Sequence, residues 1–252
     1  MKHRPAKHLA LLPLALALAA CTNPTPQNRP VTQENSNQQV RGNLEDKLSA
    51  DTVKQTAKDP CLEEIKIYPT SYYTLKKGEK SCVGKYMERN YTGEEKDMIL
   101  RDNQGKEIAS VCPRIYWMLL MEGSGYANTP KGTVLVNIDN KKKPTFKRVK
   151  NCKYGLDSRG RCLTQYVSTA GYMRKGHWKY GDTIFIQVLN GAKMPDGTYH
   201  DGFLKITDVG DNIDREDRID IFVGYEEDQA WIQKQGIYGM RPVTAYRNRC
   251  KK

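Results

Sequence analysis

The sequence predicts a mainly β domain: a small β-barrel carrying a few short helices. Three observations carry that expectation. Short segments rich in Ile, Val, Phe and Tyr recur along the chain, Gly, Asn and Asp turn signals separate them, and only two segments show a helical pattern. The 252-residue length suits one domain with an extension. No run of 18 or more apolar residues is present, so no spanning helix is expected.

Taken in order, residues 65–73 and 98–108 read as strands, the second turning at Asn103-Gln104-Gly105. Pro113 suits the first turn of a helix running to about Met121, in which Ile115, Trp117, Met118, Leu119 and Leu120 would bury most of the circumference. Residues 183–188, 203–207, 219–223 and 242–246 read as strands, with Asp196-Gly197 as a turn between the first two. Residues 225–235 read as a helix, with Glu226, Glu227 and Asp228 in its first turn and Gly236 past its end.

Ahead of the domain, residues 1–20 carry Lys2, Arg4 and Lys7 and then an apolar stretch too short to span a bilayer, the pattern of a secretory signal. It ends Leu18-Ala19-Ala20-Cys21, which resembles the lipobox of bacterial lipoproteins, so Cys21 is expected to carry lipid and attach the chain to a membrane of the envelope. Residues 21–58 are rich in Asn, Gln, Thr, Pro and charge, too poor in large apolar side chains to offset ordering entropy, and read as a flexible linker to a domain at 59–252.

The formal charge is +12; without Lys2, Arg4 and Lys7, 38 basic residues still face 29 acidic ones. An exported chain rarely meets nucleic acid, so the charge points to envelope polymers instead. With Cys21 lipidated, six of the seven cysteines remain: Cys61, Cys82, Cys112, Cys152, Cys162 and Cys250. An even count in an oxidising compartment reads as three disulfides of open connectivity, with Cys152 and Cys162 the best local pair. Zinc is disfavoured, because no Cys-x2-Cys spacing occurs and there are only four histidines. No cofactor and no metal are expected, and the protein is expected to be monomeric.

Carboxylates set in apolar strand sequence are the unusual feature. Asp208 follows Phe203-Leu204-Lys205-Ile206-Thr207, and Asp220 lies between Ile219 and Ile221. A carboxylate so placed is costly unless hydrogen-bonded or protonated, which raises its pKa and suits it to general acid catalysis. The competing reading is a structural Asp satisfied by backbone amides.

The stretches Ile206-Thr207-Asp208-Val209-Gly210, Arg218 to Gly224 and Val243-Thr244-Ala245-Tyr246 resemble the three-aspartate domain of membrane-bound lytic transglycosylase A and its relatives. Thr70-Ser71-Tyr72-Tyr73 is similar to that family's Tyr-Tyr strand, and Met121-Glu122-Gly123-Ser124-Gly125-Tyr126 to its Gln-Gly-Ser-Gly signature. The resemblance implies a double-psi β-barrel that cleaves the glycan strands of peptidoglycan. It further implies a site built from Asp208 and Asp220, with Tyr72, Ser124, Gly125, Tyr126 and Thr207 beside the bound sugar. Two departures stand out. Glu122 replaces a glutamine, and Arg174 or Lys175 stands where several relatives carry a further aspartate.

A lytic transglycosylase needs one acid/base group, because the muramyl 6-hydroxyl is the nucleophile; a muramidase also needs a second carboxylate. Glu122, after an apolar helix and before a Gly-Ser-Gly turn, makes a lysozyme-like hydrolysis of the MurNAc-GlcNAc β-1,4 bond the leading expectation, with Glu122 as acid and Asp208 or Asp220 as base or stabiliser. Transglycosylation to 1,6-anhydromuramyl ends is the alternative.

The acidic group Asp208, Asp211, Asp214, Glu216, Asp217 and Asp220 would suit a de-N-acetylated, amine-bearing glycan, although a solvated loop explains its middle members equally. A third reading is a non-catalytic murein-binding lipoprotein that grips glycan through Tyr72, Tyr126, Tyr172 and Trp178. Residues 141–150, the densest positive run, read as a solvated loop or as a hold on anionic envelope surfaces. His177 and His200 are given no catalytic role.

Overall fold

A computed structural model describes residues 61–78, 82–174, 177–210 and 213–248. The expected signal, Cys21 and the linker lie outside the described residues, as do Cys250, Lys175 and Asp211. Among the described residues, no helix is long and apolar enough to cross a membrane.

Six strands close into a barrel in the order β1 (Leu62–Tyr72), β12 (Arg218–Phe222), β9 (Ser168–Gly171), β11 (Phe203–Val209), β10 (Thr183–Ile186) and β13 (Val243–Asn248). β1 runs parallel to β12, and β9 parallel to β11; the other neighbours are antiparallel, β13 closing on β1. The mainly β expectation and its barrel are therefore met. Strand alternation sends Ile67, Ile184, Ile186, Leu204, Ile206, Ile219, Ile221 and Ala245 inward, each fully buried, and a barrel of this size is filled by such side chains.

Three smaller sheets accompany the barrel. Two hairpins, β2 (Val83–Tyr86) with β3 (Arg89–Thr92) and β4 (Met98–Arg101) with β5 (Glu107–Val111), precede α1 (Pro113–Glu122). A three-stranded antiparallel sheet follows: β6 (Ser124–Thr129), β7 (Gly132–Asn140) and β8 (Thr145–Val149). Between β8 and β9 the chain forms a loop stapled by Cys152–Cys162, the expected local pair. Its Tyr154 and Leu163 pack on Phe222 of the barrel's outer face as a second apolar cluster. Cys82–Cys112 is a second disulfide, and Cys61 is disulfide-bonded as well.

Several element expectations are corrected. The helix expected over 225–235 is split into a 3-10 turn at Glu226–Asp228 and α2 (Gln229–Lys234), because the Asp228 carboxylate folds back to accept the Tyr225 amide. The strand expected to reach 188 turns into a 3-10 segment at Gln187–Leu189, and the strand expected from 242 starts one residue later, since Pro242 has no N–H to donate. α1 is not buried all round: Met118 and Leu119 are, whereas Trp117 and Met121 are about two-fifths exposed. The expected Gly-Ser-Gly turn is confined to Gly123, whose φ of 86° caps α1, and Ser124 already opens β6. The basic run of 141–150 is a loop only at its start, its second half being β8.

Candidate active site

Asp208 and Asp220 sit on different strands, each registered against the same residue. Ala170 of the short central strand β9 pairs with Asp208 on one side and with Asp220 on the other. Partners in a ladder point to the same face, so both carboxylates project outward across a methyl group, their backbones two strand spacings apart, roughly 9 to 10 Å.

For Asp208 this placement depends on an irregularity. Ile206 pairs with Thr169, but Asp208, not Thr207, pairs with Ala170, so Thr207 is the extra residue of a β-bulge. Regular alternation from the inward-facing Ile206 would point Asp208 inward too. The bulge shifts the period by one and delivers it outward beside Asp220. Thr207 itself is buried, and its hydroxyl makes no hydrogen bond.

The outer face here forms the floor of a cleft of about 670 Å3. One wall is the disulfide-stapled loop, and the opposite wall is the end of α1 with β6, β7 and the β7–β8 turn. Gly155 allows this closeness, since a side chain there would collide with Ser124 and Asn137, and the Leu156 amide donates to Asn137 Oδ1 at 2.8 Å. All three expected carboxylates, Glu122, Asp208 and Asp220, line this one cleft.

Their surroundings differ. Asp208 is richly held: Oδ1 accepts the Val209 amide at 2.8 Å and the Ser158 amide at 2.9 Å, while Oδ2 accepts the Tyr72 hydroxyl at 3.2 Å. Burial raises its pKa, but these donors pull the other way by favouring the carboxylate. The Tyr72 phenol is itself pushed well above its ordinary range, by burial and then by the Asp208 charge, and so stays a donor.

Asp220 has the opposite environment. Its Oδ1 is buried and meets the Arg218 Nη2 in an ion pair at 3.5 Å, with no closer hydrogen bond among the described residues. Burial again raises its pKa, and only Arg218 opposes. A buried carboxyl opposed by a single cation is more readily protonated than a solvated one.

Glu122 is turned elsewhere. As the last residue of α1 it aims Oε2 at the Tyr73 amide, 3.2 Å away, and its charge is felt by the Tyr73 and Tyr86 phenols. It therefore ties α1 to the end of β1 at one side of the cleft.

Of the residues expected beside the sugar, Tyr72 and Ser124 line the cleft, Ser124 deep at its base and sharing a 3.0 Å hydrogen bond with Thr74. Gly125, Tyr126 and Thr207 do not. Gly125 is packed against Leu75 and Leu119, where any side chain would clash. Tyr126 lines a separate hollow near Cys82–Cys112 and donates to the Lys153 carbonyl at 3.2 Å. Trp178 is core, its indole N–H bonded to the Glu216 carbonyl, and Tyr172 packs against the core.

The acidic group also divides. Asp214 is exposed, Asp217 pairs with Arg215 at 2.8 Å, and Glu216 meets His177 at 3.2 Å in another hollow; among the described members of the group, Asp208 and Asp220 line the cleft. His200 is buried, linked to the Tyr166 carbonyl and the Gly202 amide.

Sequence reasoning missed Ser158 and Asn137. Ser158 lies in an Asp157-Ser158-Arg159-Gly160 turn whose Asp157 Oδ1 accepts the Arg159 and Arg161 amides, and the Asp-x-x-Gly spacing between bracketing cysteines is the signal that could have found it. Asn137 carries no such signal.

No protein-family model matches the sequence, and no curated protein matches it. Among solved structures the chain is similar to a membrane-bound lytic murein transglycosylase from Agrobacterium tumefaciens, at 12% identity over 72% of this chain and 73% of that one, with a TM-score of 0.45. It is similar to E. coli MltA with bound chitohexaose at 11% identity over 72% and 71%, TM-score 0.44. LtgG, a lytic transglycosylase of Burkholderia pseudomallei, matches at 13% identity over 74% and 72%, TM-score 0.36. Likenesses this distant decide nothing about the chemistry, which rests on the geometry above.

Proposed function

We propose that this protein cleaves the glycan strands of peptidoglycan by transglycosylation, with Asp220 as the single acid/base. The observation that carries the reading is the contrast at Ala170: burial raises the pKa of both carboxyls, but Asp208 is fixed by three donors that favour its charged form, while the buried oxygen of Asp220 meets only the Arg218 ion pair. Of the two, Asp220 is therefore read as the acid and Asp208 as the anion.

In the first half-reaction, protonated Asp220 gives its proton to the glycosidic oxygen as the bond from C1 of the muramyl residue to that oxygen breaks. Asp208, held as carboxylate by the two amides and Tyr72, faces the positive charge that develops on the sugar ring. In the second, the Asp220 carboxylate takes the proton of the muramyl 6-hydroxyl as that oxygen bonds C1, closing a 1,6-anhydro ring and restoring the acid. No outside water is consumed, so no second acid/base group is required.

The muramidase reading, in which Glu122 is the acid, is supported by Glu122 lining the same cleft, but its carboxylate is already engaged at the Tyr73 amide. Mass spectrometry of digested murein separates the readings. Transglycosylation leaves 1,6-anhydromuramyl ends; reducing muramyl ends would replace it with hydrolysis, and binding without cleavage would leave a murein-binding protein. An exported location with lipid on Cys21 belongs to this proposal, and labelled fatty acid incorporated by the full chain but not by Cys21→Ala is the result it requires.

A further inference from the structure

The cleft has a second electrostatic side that the proposed reaction does not use. Opposite the aspartates, its rim carries Lys141, Lys142 and Lys147 of the β7–β8 hairpin, and Arg174 follows β9. Lys142 and Arg174 are exposed. The hairpin tip is fixed, because Asn140 Oδ1 accepts the amides of Lys142 at 2.9 Å and Lys143 at 3.2 Å, and Lys147 is held by Asp139 at 3.3 Å. The basic run is thus seated on the cleft rather than spread over the surface.

On a peptide-bearing strand the lactyl carboxyl of each muramyl residue is tied up in its amide to the peptide, so the N-acetylated glycan itself offers these cations no charge. Amine-bearing sugar would be repelled by them. Carboxylates would be attracted, and on a murein strand they are carried by the peptide substituents of the muramyl residues, next to the bond to be cut.

We propose that Lys142 and Arg174 form a subsite for the carboxylates of peptide side chains, so that the protein acts on strands whose peptides carry free carboxylates in preference to strands whose peptides do not. This deepens the reading given above and rests on it for the substrate. Two exposed charge pairs are together worth up to about tenfold in selectivity.

The test compares uncross-linked glycan strands bearing peptides with the same strands after their peptide carboxylates have been converted to amides. Wild type should show roughly tenfold higher kcat/KM on the carboxylate-bearing form, shrinking as salt is raised. The Lys142→Ala/Arg174→Ala variant should lose that preference and keep its activity on the amidated strands. A control that removes the same charge from exposed positions away from the cleft, Lys85→Ala/Lys234→Ala, should keep the preference.

Equal rates of wild type on both substrates, a preference that survives in the cleft variant, or one lost equally in the control would overturn the proposal. If wild type cleaves neither strand, transglycosylation itself has failed, and binding of the chain to the same two materials still decides. Tighter binding to the carboxylate-bearing form that depends on Lys142 and Arg174 supports the subsite, and equal binding rejects it.

Discussion

The two faces of the barrel sheet are made from the same strands and do opposite things. On β12, Ile219 and Ile221 face inward and are fully buried among other aliphatic side chains, while Asp220 between them faces out into the cleft. On β11, Leu204 and Ile206 face inward, and one extra residue, Thr207, turns the next carboxylate outward. The inner face holds the fold together; the outer face tolerates two poorly solvated carboxyls because the inner one offsets their cost. Alternation is therefore what lets adjacent residues serve stability and chemistry separately.

If that separation is real, Ile221→Ala should cost about 2 to 5 kcal/mol in denaturant unfolding, the usual range for truncating a fully buried aliphatic side chain. Turnover per folded molecule should stay close to wild type. Lost turnover with unchanged stability would break the comparison at its strongest point.

On the outer face the pattern should reverse. Asp208→Asn keeps the volume but removes the charge facing the sugar, and should lower kcat on the order of 100-fold with little change in unfolding midpoint. Removing the staple with Cys152→Ser/Cys162→Ser should do both kinds of damage, costing about 2 kcal/mol and lowering activity, because the same loop presents the Ser158 amide to Asp208. Thermal unfolding and turnover of one preparation check the pairing of the two losses.

The smallest effect runs the other way. Burial raises the Asp220 pKa, so the folded state keeps its proton to higher pH than the unfolded chain does. The stability contribution of this carboxyl is then present below its ordinary value of 3.8 and is lost as pH rises through the folded-state value. Asp220→Asn does not titrate, so it should be more stable than wild type at neutral pH, and the gap should close as pH falls toward 3.8. A gap that widens on acidification would mean that Asp220 is ionised and well paired in the folded state.

Much of the inner face was legible in the sequence, because Ile-x-Ile and Leu-x-Ile alternation is a direct imprint of one buried side. β7 was not, since Leu135, Val136 and Asn137 are all buried and alternation disappears when both faces are covered. The β2–β3 hairpin was hidden for another reason: its two-residue turn is Met87-Glu88, with Met87 at a φ of 54° where Asn or Gly would have signalled it.

At the site, the carboxylates were visible as polar residues in apolar strands. What the sequence could not show was the bulge that gives Asp208 and Asp220 a common partner, nor that Glu122 turns to a backbone amide. Both are matters of register and rotamer. Residues 141–150 looked like surface charge, because nothing local says that a hairpin folds their first lysines over a cleft.

The most direct measurement is the turnover of Asp220→Asn and Glu122→Gln on the same murein preparation, with each variant shown to be folded. Glutamine can still accept the Tyr73 amide, so Glu122→Gln should retain turnover within about tenfold of wild type, while Asp220→Asn, without its acid, should fall by roughly 1,000-fold. The reverse order, with Glu122→Gln inactive and Asp220→Asn active, would contradict the assignment of Asp220 and restore Glu122 as the acid.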